Sequence, residues 1–338
     1  MIDTTIYLSV IVPVFNEEEN IPILHENITH VLGQLGETYE ILYVDDGSTD
    51  GTFFQLKRLV EKDLHIHVVR LSRNFGQTAA ISAGIDHSRG EILVFMDGDL
   101  QNDPIDIPRL LEKIDEGYEV VSGWRKKRKD AQISRKLPSI LANRLISKVT
   151  GVQLHDYGCT LKAYRREIFQ HTRLYGEMHR FIPAYAALSG ASVTEIEVTH
   201  HPRRFGVSKY GISRTVRVIL DLITLKFLGS FGTKPLYAFG IPGLISLILG
   251  MLLGILLLVR KITPPQIRIH RNPLLSISIY FLGMGMQSIM LGLLAELLMR
   301  TYHESQQKST YVVKSIISPL GSEKVQEEVV ERQLIALS

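Results

Sequence analysis

The chain has a single cysteine, Cys159, and a single tryptophan, Trp124, in 338 residues. One thiol excludes any disulfide within the chain and fits a reducing compartment. The histidines number twelve, including His65 with His67 and the pair His200-His201, yet no accompanying cysteines give zinc spacing. Solvated or core histidines are the expectation. No Gly-x-Gly-x-x-Gly follows an apparent strand and no Gly-x-x-x-x-Gly-Lys-Ser/Thr occurs, so dinucleotide oxidoreductases and P-loop enzymes fit poorly. Internal repeats and low-complexity segments are absent as well. The N-terminal segment carries Asp3 and no basic stretch before the apolar run 6–15, which is predicted as a strand and not as a secretion signal. Neither sign of charge dominates: 38 Lys and Arg stand against 35 Asp and Glu, and a net charge of +3 is too small to argue for nucleic acid.

Long apolar runs are present, and they are confined to one region. Residues 235–259 and 272–295 are uncharged over 25 and 24 positions. At 1.5 Å per residue these reach about 36 to 38 Å, enough to cross a hydrocarbon core of about 30 Å with some tilt. Both are predicted to span, and Gly250 and Gly254 form a Gly-x-x-x-Gly step for close helix contact in the first. Near the outer ends lie Arg214, Arg217, Lys226, Lys234, Arg300, Lys308 and Lys314, seven cations, against Arg260, Lys261, Arg268 and Arg271, four, in the connecting loop. That excess places the preceding domain and the tail on the cytoplasmic side of an inner membrane, in a multi-pass arrangement. Residues 214–231 read as an amphipathic helix in the membrane interface, and 139–149 as a second one.

Residues 1–234 compose like a globular protein. Short apolar runs at 8–14, 39–44, 66–70, 91–96 and 119–122 alternate with amphipathic stretches at 21–35, 52–63, 77–87 and 104–116. This pattern predicts a doubly wound α/β fold whose mostly parallel sheet is covered on both faces. Ligands of such sheets bind beyond the carboxyl ends of the strands. Three polar clusters fall there: Asn16-Glu17-Glu18-Glu19, Asp45-Asp46-Gly47-Ser48 and Asp97-Gly98-Asp99. Two carboxylates one residue apart at a strand end suit a hard divalent cation that leaves positions for substrate phosphates. Asp50 is placed to cap the helix that follows. Residues 192–200 alternate polar and apolar, which predicts an antiparallel edge strand. Arg125, Lys126, Lys127, Arg128, Lys129, Arg135 and Lys136 put seven cations into twelve positions, a block suited to phosphate or anionic lipid. Without interleaved aromatics beyond Trp124, it does not read as a nucleic-acid site.

Four segments, Val12-Pro13-Val14-Phe15-Asn16-Glu17-Glu18, Asp45 through Thr52, Arg73-Asn74-Phe75-Gly76-Gln77 and Asp97 through Gln101, together resemble the family 2 glycosyltransferases of GT-A fold. Asp156-Tyr157-Gly158-Cys159, His179-Arg180-Phe181-Ile182-Pro183 and Arg203 through Tyr210 are similar to its polyisoprenyl-phosphate subgroup, which includes dolichol-phosphate mannose synthases and bacterial polyprenyl-phosphate glucosyltransferases. The resemblance covers about residues 8–300, the two spans included. It implies that Pro13, Phe15, Glu17 and Asp46 hold the nucleoside of a nucleotide-sugar donor. Asp97, Asp99 and Gln101 would surround Mg²⁺ or Mn²⁺ at the diphosphate, and Arg203 and Lys209 would contact donor phosphates or a closing loop. Asp156, with Asp99, is the implied catalytic residue, matching a position discussed as a base. The acceptor, a membrane polyprenyl phosphate, would meet Arg125, Arg128, Arg135 and Ser139. A lipid monophosphate with a second pKa of about 6 is already largely dianionic at neutral pH, so a base is dispensable. What the site must supply is alignment, cationic binding of that phosphate and charge stabilisation of the leaving diphosphate.

The expected reaction is inverting transfer of one sugar, glucose from UDP-glucose, to the lipid phosphate. GDP-mannose and a UDP-aminopentose are alternative donors, and a noncatalytic lipid-binding protein with a transferase fold is the alternative class. A processive polysaccharide synthase lacks its Gln-x-x-Arg-Trp signature here. The expected domains are a catalytic domain at 1–210, an interfacial helix at 211–233, two transmembrane helices within 234–300 (about 235–259 and 272–299) and a tail at 301–338. The strand-like stretch 310–317 in that tail is expected to pair with another subunit, giving a homo-oligomer.

Overall fold

The computed structural model describes residues 6–126, 147, 152–170, 178–205, 235–263, 272–305, 311–319 and 321–323. These fall into two units: residues up to 222 together with those from 309 onward, and residues 223–308.

In the first unit, runs rich in Val, Ile and Leu form β1 (Leu8–Val14), β2 (Tyr39–Asp45), β3 (Ile66–Leu71), β4 (Ile92–Phe95) and β5 (Val120–Trp124). The intervening helices are α1 (Ile21–Leu32), α2 (Thr52–Val60), α3 (Gln77–His87) and α4 (Ile107–Asp115). Ile107, Leu110, Leu111 and Ile114 of α4 recur at the spacing of one helix face and are buried, so the apolar stripe fixes which side docks. One face of the sheet packs Val10 and Val12 against Leu24, Ile28 and Leu110. The other packs Ile11 and Val44 against α3, with Ala80 and Ala83 in the same cluster, and packs β5 against a short helix α5 (Ile182–Leu188), whose Ile182 and Ala186 join that cluster. With both faces covered, the strands are apolar on both sides, as a parallel sheet requires.

The remaining strands are β6 (Lys162–Arg165), β7 (Val193–Glu197), β8 (Val313–Ser318) and β9 (Gly321–Glu323), and the nine run in the order β7-β5-β6-β4-β1-β2-β3-β8-β9. β1 pairs in parallel with both β2 and β4. The chain therefore winds outward from β1 through β2 and β3, then crosses back to β4. This reversal opens a crevice beyond the ends of β1 and β4.

Three features differ from the sequence expectation. β6 was not anticipated; it runs antiparallel between β4 and β5, and its four residues, Lys-Ala-Tyr-Arg, contain no apolar run. β7 is an edge strand as expected, but it pairs with β5 in parallel. Its alternating pattern records half exposure, which an edge strand has in either direction. The tail strand exists but does not await another subunit: β8 lies antiparallel on β3 of the same chain, and β9 folds back on β8. The Ser72 N–H also donates to the Val312 carbonyl at 2.9 Å, and the Tyr311 hydroxyl donates to Asp86 at the end of α3 at 2.7 Å.

The second unit holds α6 (Pro235–Ile262) and α7 (Pro273–Ser305), which contain apolar stretches of membrane-crossing length at Phe239–Ile262 and Pro273–Ala295. The two helices touch backbone to backbone. A Cβ on Gly243 would come within 2.9 Å of the Gly285 carbonyl, and one on Gly285 within 2.7 Å of the Gly243 carbonyl. Gly250 is equally tight against Leu282, whereas Gly254 meets only the Ser278 hydroxyl, so half of the expected Gly-x-x-x-Gly step makes the contact. The hydroxyls of Ser246, Ser278 and Ser288 donate across to the carbonyls of Phe281, Gly250 and Phe239 at 2.7–2.8 Å. Small residues and hydroxyl crosslinks of this kind hold helices together where lipid removes the hydrophobic driving force. Outward lie Ile241, Ile245, Ile248, Leu252 and Ile255, all about half exposed, an apolar surface of the kind that suits a bilayer. The expected interfacial helix at 214–231 lies outside the described residues, as does that at 139–149 except for Ser147.

Candidate active site

The crevice between β1 and β4 gathers the acidic clusters, and local backbone chemistry explains how. After β4 the chain makes the turn Asp97-Gly98-Asp99-Leu100-Gln101, with Leu100 at φ 59°. A branched residue in the left-handed region costs on the order of 1–3 kcal/mol, a strain found at functional turns. Asn16, just past β1, is also left-handed at φ 54°. Its N–H donates to the Ser48 hydroxyl at 3.0 Å and its side-chain oxygen accepts from the Thr49 N–H at 2.8 Å. The segments after β1 and β2 are thus tied together. Asp50 accepts from the Thr52 N–H at 3.0 Å, but the N-cap of α2 is Gly51, so Asp50 sits one position before the cap expected of it.

Asp97 is fixed from two sides: the Gln77 side chain donates to it at 2.7 Å and the Thr160 hydroxyl at 2.6 Å. Asp99 accepts from Arg203 at 2.5 Å and from the Gln101 N–H at 3.2 Å. Burial, then the nearby negative charge of Asp97, push the Asp99 carboxyl up to about 6; Arg203 and the Gln101 N–H oppose the shift. Glu17 stands on the far side of Arg203, its carboxylate 4.0 Å from the guanidinium.

Asp46, expected to hold the nucleoside, has both carboxylate oxygens engaged by backbone. It is buried, and its two oxygens accept from the N–H groups of Phe75 and Gly76 at 2.8 and 2.9 Å. Burial raises its pKa against the pull of those donors. Its neighbour Gly47 sits at φ 71° with the Arg73–Asn74 backbone so close that a Cβ would lie 2.4 Å from the Arg73 carbonyl carbon. The Asp-Gly pair therefore docks the 73–76 loop, which delivers Gln77 to Asp97.

Asp156 is buried and faces Arg125, which donates from Nε at 2.7 Å and Nη2 at 3.0 Å; the Gly158 N–H adds a bond at 3.1 Å. Burial works against the charged guanidinium, yet the facing carboxylate outweighs it and Arg125 is held protonated. Beside this pair, Lys162 of β6 is buried and donates to the Tyr157 carbonyl at 3.0 Å; burial lowers its pKa to about 8. Burial pushes the Cys159 thiol up to about 11, so it is inert. His179, held neutral by burial and by Arg180, lies 2.6 Å from the Thr78 hydroxyl.

The structure thus brings Glu17, Asp97, Asp99, Gln101 and Arg203 together, with Pro13 in β1 and Phe15 just after it, and pairs Asp156 with Arg125. Arg128, Arg135, Ser139 and Lys209 lie outside the described residues. Gln77, Thr160 and Lys162 were not assigned roles from sequence. Gln77 ends the Arg73-Asn74-Phe75-Gly76-Gln77 segment already singled out, which was the available signal; Thr160 precedes, and Lys162 begins, a strand too short to read. Among the described residues no group of three or more His, Cys, Asp or Glu is gathered for a metal. Asp97 and Asp99 nonetheless fit a magnesium-like ion, which takes one or two carboxylates and completes its shell with water and substrate phosphates. Burial first, and then the charge of Asp97, raise the Asp99 carboxyl, and a bound cation would offset both.

Comparison with known proteins agrees with this geometry. The profile described as Glycosyl transferase family 2 matches residues 9–173. The chain is 44% identical over 313 residues to a dodecaprenyl-phosphate galacturonate synthase of Rhizobium johnstonii, covering 91% of this chain and 92% of that protein. It is 37% identical to an undecaprenyl-phosphate 4-deoxy-4-formamido-L-arabinose transferase of Salmonella paratyphi B, covering 95% and 96%. Among solved structures, glucosyl-3-phosphoglycerate synthase of Mycobacterium tuberculosis with Mn²⁺, uridine diphosphate and phosphoglyceric acid superimposes with a TM-score of 0.52 at 20% identity, covering 65% of this chain and 78% of that one. The same enzyme with Mg²⁺ and uridine diphosphate gives 0.51 at 18% identity, covering 65% and 79%. At such identity the likeness establishes the shared GT-A fold. A mixed sheet with its acidic turn at the reversal of strand order, and relatives matched over nine-tenths of their length, make this chain a glycosyltransferase of family 2.

Proposed function

We propose that this protein moves one sugar, with inversion, from a uridine diphosphate sugar to the phosphate of a membrane polyprenyl phosphate. The observation that carries the reading is the Asp97/Asp99 pair at the β1/β4 crevice, in a chain whose two named relatives both use polyprenyl phosphates. Their sugars are a galacturonate and a formamido-arabinose, and neither supports the glucose expected from sequence. With 44% identity over 91% of the chain, a hexuronic acid is the favoured sugar.

In this reading Pro13, Phe15 and Glu17 border the nucleoside, and Asp46 acts one step removed by holding the 73–76 loop. Asp97 and Asp99 are the ligands for Mg²⁺ or Mn²⁺, with Gln101 orienting Asp99 through its backbone N–H. When bound, the ion neutralises charge on the departing diphosphate. Arg203 and Lys209 are assigned to donor phosphates. Arg125, Arg128, Arg135 and Ser139 are assigned to the acceptor phosphate, Arg125 with its guanidinium aimed by Asp156. A carboxylate engaged by two guanidinium nitrogens is poorly placed to take a proton, and a dianionic phosphate needs none removed. Asp156 is therefore a positioning residue. The chain up to residue 222 and the chain from 309 onward both belong to the first unit, so two crossings leave the catalytic unit on one side, assigned to the cytoplasm from the seven-to-four count of flanking cations.

The test is to incubate purified protein with undecaprenyl phosphate, Mg²⁺ and, separately, UDP-galacturonate, UDP-glucose and GDP-mannose, and to weigh the lipid product. A lipid-phosphate uronate is expected with the first donor. Lipid-phosphate glucose or mannose instead would overturn the sugar assignment, and no lipid-linked sugar with any UDP-sugar would overturn the acceptor.

A further inference from the structure

Arg203 is delivered to Asp99 by a segment laid along the acidic turn. Asn102 and His200 form an antiparallel bridge, the His201 N–H donates to the Gln101 carbonyl at 2.8 Å, and the His201 ring lies 2.8 Å from Asp103. The Thr199 N–H is anchored on Asp106 at 2.6 Å. From there the guanidinium bonds Asp99 Oδ2 at 2.5 Å while its other terminal nitrogen lies 4.0 Å from Glu17. The side chains of Arg203, Asp99 and Glu17 are only 23, 10 and 11% exposed, so this contact is sheltered from solvent.

An ion bound by Asp97 and Asp99 and a guanidinium on Asp99 carry the same sign and need the same carboxylate. At contact distance in a sheltered site they repel strongly. A displaced guanidinium keeps a place only if another anion meets it, and a diphosphate beside Asp99 offers several oxygens suited to its fork. Building on the assignment of Asp97 and Asp99 as the ion's ligands, we propose that Arg203 is an exchangeable counter-ion: it neutralises Asp99 in the metal-free protein, yields that oxygen to the divalent ion, and passes to the donor's diphosphate. The ion alone then competes with Arg203 and binds weakly. With the diphosphate present the arginine is accommodated and the ion binds tightly, and by linkage the ion strengthens nucleotide binding by the same factor.

The experiment measures Mn²⁺ binding to the detergent-solubilised full-length protein from the electron paramagnetic resonance signal of free Mn²⁺, with and without UDP. In Arg203→Met, Mn²⁺ alone should bind roughly tenfold tighter than in the parent, the scale of one charge-assisted hydrogen bond, and the gain on adding UDP should shrink by a similar factor. Arg203→Lys keeps the charge without the fork and should fall between them; it decides the matter if the methionine variant does not fold. Unchanged or weaker Mn²⁺ binding without UDP overturns the exchange. So does an equal tightening with and without UDP, which a simple field effect would give. A parent protein that binds no Mn²⁺ even with UDP removes the metal assignment itself, and the exchange with it.

Discussion

Replacing Gly47 by alanine tests the link from the Asp45-Asp46-Gly47 turn to the acidic pair, because Gly36 supplies a matched control. The two glycines have nearly the same backbone, φ 71° and 72°. An alanine there costs about 1–2 kcal/mol from the left-handed conformation alone. At Gly36 a Cβ meets nothing within 4 Å, whereas at Gly47 it falls 2.4 Å from the carbonyl carbon of Arg73 and 2.7 Å from the nitrogen of Asn74. Those are backbone atoms, so the 73–76 loop must move and both N–H bonds to Asp46 are strained or lost. Each charge-assisted bond contributes about 1.5–3 kcal/mol, which adds roughly 3–6 kcal/mol at Gly47 that Gly36 does not incur. With 1 kcal/mol worth about 2–4 °C for a unit of this size, Gly36→Ala should lower Tm by roughly 2–8 °C and Gly47→Ala by at least twice as much. Because the loop carries Gln77 to Asp97, Gly47→Ala should also weaken UDP binding by calorimetry, measured below both melting temperatures. Gly36→Ala should not. Equal Tm losses, or normal UDP affinity in Gly47→Ala, would refute the coupling.

The Asp99 carboxyl, raised to about 6, sets an acid limb. UDP–Mn²⁺ binding should fall as pH drops through about 6, and Asp99→Asn should bind weakly at every pH. The ligand-free protein should show the opposite sign: a carboxyl with a folded pKa above its unfolded value takes up a proton more readily when folded, so stability rises as pH falls from about 6 towards 4, and the asparagine variant loses that slope. Arg125→Met removes the guanidinium facing the buried Asp156 carboxylate, which should cost about 3–5 kcal/mol in urea unfolding, while Arg125→Met with Asp156→Asn should recover part of it; additive losses would deny the pairing. Deleting the chain after Ser305 removes β8 and the Tyr311–Asp86 bond, so the soluble unit should melt several degrees lower; an unaltered Tm would contradict the β3–β8 ladder.

What was legible in the sequence was what short-range patterns encode. The Val- and Ile-rich runs gave β1 to β5, and the polar clusters that follow β1, β2 and β4 located the crevice. The same rule failed for β6, because Lys162 and Arg165 bound a four-residue strand whose burial is conferred by neighbours β4 and β5. Direction was not legible for β7, nor partner for β8: alternation reports which face is wet, and the partner depends on closure of a distant loop through the second unit. The roles expected of Asp46 and Asp156 came from the family resemblance, which says nothing of what either carboxylate bonds within the fold. Their actual partners, the Phe75 and Gly76 N–H groups and Arg125, lie 29 to 31 positions away and follow no spacing rule. The Arg203–Asp99 contact spans 104 positions and depends on the His200 bridge.

The account rests on Asp97 and Asp99 meeting the donor diphosphate through a divalent ion, and crystals soaked with UDP and Mn²⁺ test it most directly. The manganese anomalous peak should touch both carboxylates and the UDP phosphates, with Arg203 turned from Asp99 to the diphosphate. A nucleotide lodged away from that turn, or a metal that contacts neither aspartate, would contradict it.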